Sequence, residues 1–315
     1  MAGKDKIMSD WTEVKISVNA EDVDKAGDIA MMVVPYGIYI EDYRDLEQQA
    51  WDIAHIDLID EDLLKKDRSK AFVHIYISPE ENPLEAVAFL RERYTAEGIE
   101  NEIDTIACRN EDWENNWKQY FHSIPVGEKL LIHPKWEDEV DAGDRVVLNI
   151  EPGLAFGSGT HETTRLCLAT LEKHINEDTE VLDIGCGSGI LSIASLLLGA
   201  KRAVGVDIDA LAVKTAIENG EDNGFTEPKF TVFQGNLTDK VTGKFDVVVA
   251  NIVADIIIMF TKDVAQFLKE DGVFIASGII DTREQEVLDA LEKYGFEVTA
   301  RHTEKGWVCL EAQHS

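Results

Sequence analysis

The chain has 315 residues, 44% of them hydrophobic and 29% charged, a composition typical of a globular protein with about two domains. The sequence has no apolar run of the about 18 residues that a membrane-spanning helix requires, and the charged segment Met1 to Asp10 lacks the apolar core of a secretory signal. The net charge is −31, which opposes binding to nucleic acid and favours a basic partner, or simply keeps an acidic surface soluble. We therefore expect a cytoplasmic protein that enters no membrane and binds no nucleic acid.

Residues 1–109 are predicted to form a small α+β domain. Alternating apolar residues indicate strands, and apolar residues three and four apart indicate helices. The predicted order is strand, helix, strand, strand, helix, strand: Trp11–Val18, Val23–Val34, Gly37–Glu41, Ala71–Ile77, Pro83–Glu97 and Glu100–Ala107. This order is that of the ferredoxin-like split motif.

Residues 110–144 are predicted to form a linker region, and residues 145–315 a Rossmann-like α/β domain. The linker begins with a polar run that contains two tryptophans and continues with a strand and a turn between Val126 and Trp136. After the strand Arg145–Ile150, helices alternate with apolar strands, which is typical of a mostly parallel sheet. Seven strands are expected: Glu180–Ile184, Arg202–Asp207, Lys229–Gln234, Phe245–Asn251, Gly272–Ser277, Glu297–Thr303 and Trp307–Ala312. The short Glu304–Gly306 connection is typical of a hairpin, so the last two strands should run antiparallel to each other.

The strongest indication of a ligand site is the run VLDIGCGSGILSIA, residues 181–194. A strand leads into three glycines and then a helix: Gly185, Gly187 and Gly189. Glycine lets the backbone approach a ligand closely, and the helix start presents free N–H groups to it. A dinucleotide fingerprint would require a glycine where this chain has Ile190. The spacing after Asp183 therefore favours a ligand without pyrophosphate, and a glycine turn without any ligand is the alternative.

Two polar residues end other strands of the same sheet. Asp207 ends the second strand, where an acid accepts hydrogen bonds from ribose hydroxyls, whereas Asp209 is better placed to cap the next helix. Asn251 ends the fourth strand, at the edge where open α/β sheets bind ligands. Its side chain offers one acceptor and two donors, and a turn-forming role is the alternative.

The run EPGLAFGSGTHETT, residues 151–164, precedes the first strand of the sheet. Its three glycines predict a loop that covers a site. We expect Phe156 to pack against a ligand or within the core, Thr163 and Thr164 to cap the helix or bind, and His161 to be a loop residue rather than a catalytic base. The cysteines lack the spacing of a zinc site, so buried thiols and no metal are expected: Cys108, Cys167, Cys186 and Cys309.

Taken together, these motifs resemble the bacterial methyltransferases that modify ribosomal protein L11. The most specific match is the run Pro152–Thr164, and the resemblance extends from about Trp11 to the C-terminus. Further matching stretches are Asp112–Lys118, Asp183–Gly189, Gly205–Asp209 and Ala250–Ile252. The N-terminal part departs from the family pattern in length, and we interpret Asp42–Lys70 as an insertion.

The resemblance implies a class I S-adenosylmethionine-dependent enzyme that methylates lysine side chains and the N-terminal amine of ribosomal protein L11. It implies that the N-terminal domain recognises the basic L11 protein, that the linker reorients the catalytic domain, and that Thr164, Gly185, Asp207 and Asn251 contact the cofactor. The glycine motif adds Asp183, Gly187 and Gly189 to the predicted cofactor site. We also expect the chain to be a monomer.

Methyl transfer requires an uncharged amine, although the pKa of a free lysine is about 10.4. A neutral carbonyl such as that of Asn251 holds an amine without stabilising its protonated form, and Phe156 is the second predicted catalytic residue. The alternatives are a methyltransferase for another basic protein, a small amine or a nucleic acid base, and a non-catalytic cofactor-binding module in ribosome assembly. A nicotinamide dehydrogenase is disfavoured by Ile190.

Overall fold

The computed structural model describes residues 12–34, 38–44, 67–77, 83–104, 122–137, 140–151, 156–237 and 240–314. The chain forms two compact units, Met1–Phe121 and His122–Ser315. The division between them falls inside the stretch that the sequence predicts as a linker. Among the described residues, no helix combines the length and the apolar character needed to cross a membrane.

The described residues of the first unit form a four-stranded antiparallel sheet and two α-helices. In chain order its elements are β1 Thr12–Asn19, α1 Val23–Met31, β2 Tyr39–Glu41, β3 Lys70–Ile77, α2 Pro83–Ala96 and β4 Asn101–Asp104. The sheet order β2-β3-β1-β4, with every neighbouring pair antiparallel, confirms the predicted ferredoxin-like arrangement. Alternate residues of β1 form the core because one face of the strand is covered: Val14, Ile16 and Val18 are fully buried. Most of the predicted insertion, residues 45–66, lies outside the described residues.

The second unit begins with a small three-stranded sheet, formed by β5 Ile124–Val126, β6 Leu130–Pro134 and β7 Val146–Ile150. β5 is antiparallel to β6, and β6 is parallel to β7. The predicted strand 145–150 therefore pairs here and does not join the large sheet. Leu130, Ile132, Leu148 and Ile150 are fully buried and belong to the main core of the unit.

The large sheet has seven strands, interleaved with five helices among the described residues. Its elements are α3 Glu162–Leu171, β8 Glu180–Ile184, α4 Ile190–Leu197, β9 Arg202–Asp207, α5 Ala210–Asp222, β10 Phe230–Gln234, β11 Phe245–Asn251, α6 Ala254–Val264, β12 Leu268–Ile280, α7 Glu284–Lys293, β13 Phe296–Glu304 and β14 Trp307–His314. The order is β10-β9-β8-β11-β12-β14-β13, and β14 is antiparallel to both neighbours. The predicted mostly parallel sheet with an antiparallel last strand is confirmed.

Of the strands in the large sheet, β12 differs most from its predicted length. β12 was expected from Gly272 to Ser277 but runs from Leu268 to Ile280. Charged residues at its start hide the apolar pattern, and near its end the pairing with β14 shifts between Ala276 and Ile279. Gly278 lies in this irregularity with a φ of +84°, which glycine adopts without the steric penalty of a side chain.

Two apolar layers cover the faces of the large sheet. α3, α4 and the small sheet contribute to one layer, and α6 and α7 to the other. The order of the parallel strands reverses at β8, which pairs with β9 on one side and β11 on the other. Ligands of open α/β sheets bind outside the carboxyl ends of the strands at such a point. The predicted site residues at the ends of β8, β9 and β11 are therefore brought to one edge.

Candidate functional site

Close packing requires glycine at several positions of the loop between β8 and α4. We call this segment the glycine loop. All three glycines have positive φ, from +52° to +78°. A Cβ added to Gly187 would lie 2.5 Å from the carbonyl oxygen of Phe156, and one on Gly185 would lie 2.5 Å from Cγ2 of Ile252. The N–H groups of Gly185 and Cys186 donate to the carbonyl of Val206 at 2.8 and 3.0 Å. A larger residue at Gly185 or Gly187 would therefore have to displace the loop, Ile252 or Phe156.

Asp207 anchors the same loop. Its side chain is 2% exposed; Oδ2 accepts from Gly187 N at 2.8 Å and Oδ1 accepts from Asp209 N at 2.9 Å. Asp209 caps α5 by accepting from Leu211 N at 2.9 Å, which confirms the helix-cap part of the prediction. A carboxylate oxygen accepts up to two hydrogen bonds, so the anchoring of the loop is compatible with the predicted contact to a ribose.

Asp183 is fully buried near the end of β8. Its Oδ2 accepts from the backbone N–H of Ser192 at 3.2 Å and from the Ser192 hydroxyl at 2.9 Å, whereas Oδ1 has no hydrogen-bond partner. Burial raises the pKa of Asp183 to about 7, and the neighbouring charge of Asp207 adds to this effect against the hydrogen bonds from Ser192. The loop is therefore built around a carboxyl group that holds its proton unusually tightly.

This pKa predicts a pH-dependent stability. Because the folded-state pKa of about 7 lies above the ordinary 3.8, the contribution of Asp183 to stability is complete below about pH 4 and is lost as the pH rises through about 7. Asp183→Asn keeps an acceptor for Ser192 without the charge, so relative to wild type it should be more stable at about pH 8 than at about pH 5. The measurement is the free energy of unfolding of the ligand-free proteins in denaturant at both pH values. An unchanged difference between the two proteins would contradict the raised pKa.

Asn251 has the second buried oxygen without a partner at this edge. Its Nδ2 donates to Oγ1 of Thr164 at 3.4 Å, while Oδ1 is buried and unpartnered. Thr164 is fully buried in the first turn of α3. β11 pairs directly with β8, with Val249 opposite Asp183. The structure thus brings together Asn251 and Thr164, and it places the ends of the strands that carry Asn251 and Asp183 side by side.

Phe156 and Gly157 are fastened to the glycine loop by one residue. Ser188 N donates to the carbonyl of Phe156 at 2.8 Å, and the Ser188 hydroxyl donates to the carbonyl of Gly157 at 2.7 Å. Phe156 is 9% exposed, which is compatible with a role in the core and with one at the site. Sequence reasoning did not identify Ser188 as a link, because its partners lie about thirty residues away in a different segment.

Three rings form a row from this segment to β14. Phe156 and His161 have ring centroids 5.6 Å apart, and His161 and Trp307 have centroids 5.1 Å apart, both edge to face. We call these three residues the aromatic row. His161 also caps α3, its Nδ1 accepting from Thr163 N at 3.3 Å, which supports the prediction that it is structural. Trp307 was missed, although the hairpin prediction placed the start of β14 at the edge where the parallel strands end.

Charged residues fasten the β13–β14 hairpin to α3. Arg165 contacts Glu304 at 2.5 Å and Glu162 at 3.2 Å, and Lys305 contacts Glu162 at 2.9 Å. Sequence reasoning missed these residues as well. The ion pairs keep Trp307, which follows the hairpin turn, close to the start of α3.

The described cysteines are buried thiols. Cys167, Cys186 and Cys309 are buried and free, as predicted, whereas Cys108 lies outside the described residues.

After β10, Leu237 has a φ of +49°, a conformation that non-glycine residues adopt rarely and that often occurs at functional sites. Ile208, directly after Asp207, is 39% exposed, so it offers an apolar surface beside the acid.

Comparison with known proteins identifies close relatives of the chain. The family model described as ribosomal protein L11 methyltransferase (PrmA) matches residues 10–315. Two proteins named ribosomal protein L11 methyltransferase, from Clostridium perfringens strains SM101 and 13, are each 40% identical over 314 residues, covering 96% of this chain and 98% of their own. The crystal structure of a ribosomal protein L11 methylase from Lactobacillus delbrueckii subsp. bulgaricus is 33% identical with a TM-score of 0.58, covering 62% of this chain and 99% of its own.

Proposed function

This chain belongs to the ribosomal protein L11 methyltransferase family, and we propose that it transfers methyl groups to lysine side chains and to the N-terminal amine of ribosomal protein L11. Its family makes it an S-adenosylmethionine-dependent protein methyltransferase. The matched residues 10–315 include every predicted site residue. The chain covers nearly the whole length of its relatives, so the proposal concerns the activity of the full protein.

The observation that best supports this function is the pair of buried oxygens without partners, Oδ1 of Asp183 and Oδ1 of Asn251. A buried acceptor without a donor is unfavourable by about 1–3 kcal/mol, and both lie on neighbouring strands of the ligand-binding edge. S-adenosylmethionine carries an ammonium and a sulfonium, and the target is an amine, so the reactants offer positive charge and N–H donors where this edge has free acceptors. The residues present therefore fit the cofactor.

Each predicted cofactor residue has a defined role in the proposal. Asp207 accepts from the ribose hydroxyls and holds the loop through Gly187, while Gly185 and Gly189 allow the tight turn that brings the loop backbone close to the cofactor. Ile208 and Leu237 flank the base with apolar surface. Asp183 provides a buried carboxyl group below the loop, and Thr164 orients Asn251.

The bound cofactor supplies an activated methyl group, and the protein aligns the target amine with it. Asn251 Oδ1 accepts an N–H of the amine. Because the amide is neutral, it does not stabilise the ammonium form as a carboxylate would, and the amine can lose its proton before transfer. The aromatic row packs against the alkyl part of the lysine and excludes water from the reacting groups.

The charge of the chain supports a basic protein as substrate. A net charge of −31 raises the rate of encounter with a basic protein and opposes encounter with nucleic acid. This is a reason to prefer a ribosomal protein over a nucleic acid base among the substrates of methyltransferases.

The proposed function is tested by transfer of labelled methyl from S-adenosylmethionine to purified ribosomal protein L11. The label should appear on lysines and on the N-terminal amine, and Asn251→Ala should slow its incorporation by about a hundredfold. A second basic ribosomal protein and free lysine serve as matched alternative substrates. Equal labelling of either one would indicate that the protein accepts a broader class of amine substrates than L11.

The N-terminal unit is proposed to recognise the protein substrate. A fragment should begin at His122 rather than near Gly127, because a start at Gly127 would remove β5, which pairs with β6. We expect this fragment to bind S-adenosylmethionine normally but to methylate L11 at least about tenfold less efficiently. The reason is that the removed unit no longer contributes its contacts to the binding of L11. Calorimetry with the cofactor and the kcat/KM for L11 measure the two effects, and a circular dichroism melt checks the fold. A fragment with full efficiency on L11 would contradict the recognition role.

A further inference from the structure

Two asparagines at the carboxyl end of α5 bind the backbone at the end of β7 and directly after it. Asn223 pairs with Asn149 as a strand residue would: its Nδ2 donates to the Asn149 carbonyl at 2.7 Å, and its Oδ1 accepts from Asn149 N at 2.9 Å. Asn219, one turn earlier, accepts from Glu151 N at 3.2 Å and donates to the carbonyl of Ser188 at 2.9 Å. Asn219 is 1% exposed, so water does not compete for these bonds.

Ser188 connects this asparagine to the aromatic row. It lies inside the glycine loop, and three of its groups bind outside the loop: N–H to Phe156, hydroxyl to Gly157, and carbonyl to Asn219. Asn219 therefore joins the Glu151 backbone to the same residue that holds Phe156. These contacts link α5, the end of β7, the cofactor loop and the first ring of the row.

The glycine loop has anchors that do not involve Asn219. Gly185 and Cys186 are held by the carbonyl of Val206, and Gly187 is held by Asp207. Loss of the Asn219 side chain would leave these bonds in place while it releases Glu151 and the carbonyl of Ser188. A mutation of Asn219 should therefore release the backbone of Glu151 and Phe156 without releasing the glycine loop.

We propose that Asn219 is a positioning residue for methyl transfer, which holds Glu151 and, through Ser188, Phe156 in fixed register with the cofactor loop. This inference rests on the proposed function, because the backbone that Asn219 holds is proposed to align the target amine for reaction. Asn219 touches neither reactant in this account. It acts on the alignment of the aromatic row, whose second member, His161, caps α3. Thr164 in the first turn of that helix contacts Asn251.

Asn219→Ala should lower kcat by about tenfold, since misplacement of reacting groups by a fraction of an ångström has effects of this size. The cofactor dissociation constant from calorimetry should change by less than about twofold because the loop keeps its anchors on β9. Asn223→Ala is the matched control: at the carboxyl end of the same helix it removes two hydrogen bonds to Asn149 and one to the backbone carbonyl of Asn219, but none to the glycine loop. It should lose stability and keep kcat at a temperature where all variants are folded.

Asn219→Asp separates positioning from stability through its pH dependence. An ionised carboxylate accepts from Glu151 N but repels the carbonyl of Ser188, whereas the protonated acid restores the donor. The Asn219 side chain contacts the Glu151 N–H and the Ser188 carbonyl, and Asn223 Nδ2 donates to the backbone carbonyl of Asn219 at 2.8 Å. The ratio of kcat for Asn219→Asp to kcat for wild type should therefore rise as the pH falls. The use of a ratio removes the titration of the target amine, which affects both proteins.

Hydrogen exchange gives a readout independent of activity. In ligand-free Asn219→Ala, the amides of Glu151 and Ser188 should exchange faster, while those of Gly185 and Gly187 should keep their protection. Equal loss of kcat in Asn223→Ala, a pH-independent ratio for Asn219→Asp, or unchanged exchange at Glu151 would overturn the inference. Wild type that is inactive on L11 but shows the expected exchange pattern would instead contradict the proposed function alone.

Discussion

Asn251→Ala should lower turnover by about a hundredfold while the cofactor dissociation constant changes by less than about threefold. The change removes the unpartnered Oδ1 that is proposed to hold the amine, and it removes the donor to Thr164. A purely structural role would instead reduce stability, and the remaining activity would follow the folded fraction. The measurements are kcat for L11, calorimetry with S-adenosylmethionine, and thermal melts.

Two further variants test the role of the Asn251 oxygen. Asn251→Asp keeps the shape but introduces a carboxylate that stabilises the ammonium form, so turnover should fall at neutral pH and partly recover as the pH rises. Thr164→Val removes only the partner hydroxyl and should have a smaller effect. A folded Asn251→Ala protein with normal turnover would remove Asn251 from the catalytic site and leave alignment by the aromatic row as the main contribution.

Asp207→Ala should weaken S-adenosylmethionine binding by about 1–3 kcal/mol, as for a lost charge-assisted hydrogen bond. The structure adds a second cause, because the same carboxylate holds Gly187 N and Asp209 N. Asp207→Asn separates the two causes: it retains one acceptor for the backbone but loses the charge. Calorimetry on folded variants measures both effects.

Asp209→Ala is the control for Asp207. It removes the cap of α5, where Asp209 accepts from Leu211 N, and so should reduce stability by about 1 kcal/mol with little change in cofactor affinity. Unchanged affinity in a folded Asp207→Ala protein would contradict the ribose contact. Equal losses of affinity in the two alanine variants would indicate that the start of α5, rather than the carboxylate, matters.

The fold follows largely from local patterns in the sequence. The alternation of Val14, Ile16 and Val18 identifies β1, and the cap at Asp209 identifies the start of α5, because each signal depends on residues a few positions apart. The glycine spacing likewise identifies the glycine loop between β8 and α4. These features arise from backbone sterics and burial of one face, which are encoded within a single element.

The contacts that complete the site are not local, and the sequence did not predict them. Asn251 and Thr164 are 87 residues apart, and Arg165 and Glu304 are 139 residues apart. Asn219 looks like any polar residue on an amphipathic helix until α5 packs beside the glycine loop. Such pairings depend on the order of strands and on helix packing, which periodicity within one element does not specify.

The return of β14 between β12 and β13 has a consequence for self-association. It places β13 at one end of the large sheet among the described residues, where its backbone offers unpaired groups to a strand of another molecule. This outer strand alternates in exposure and presents Glu297 and Arg301 to solvent. Charged side chains on an edge strand oppose edge-to-edge aggregation, so the hairpin that brings Trp307 to the site also leaves the sheet with a protected border.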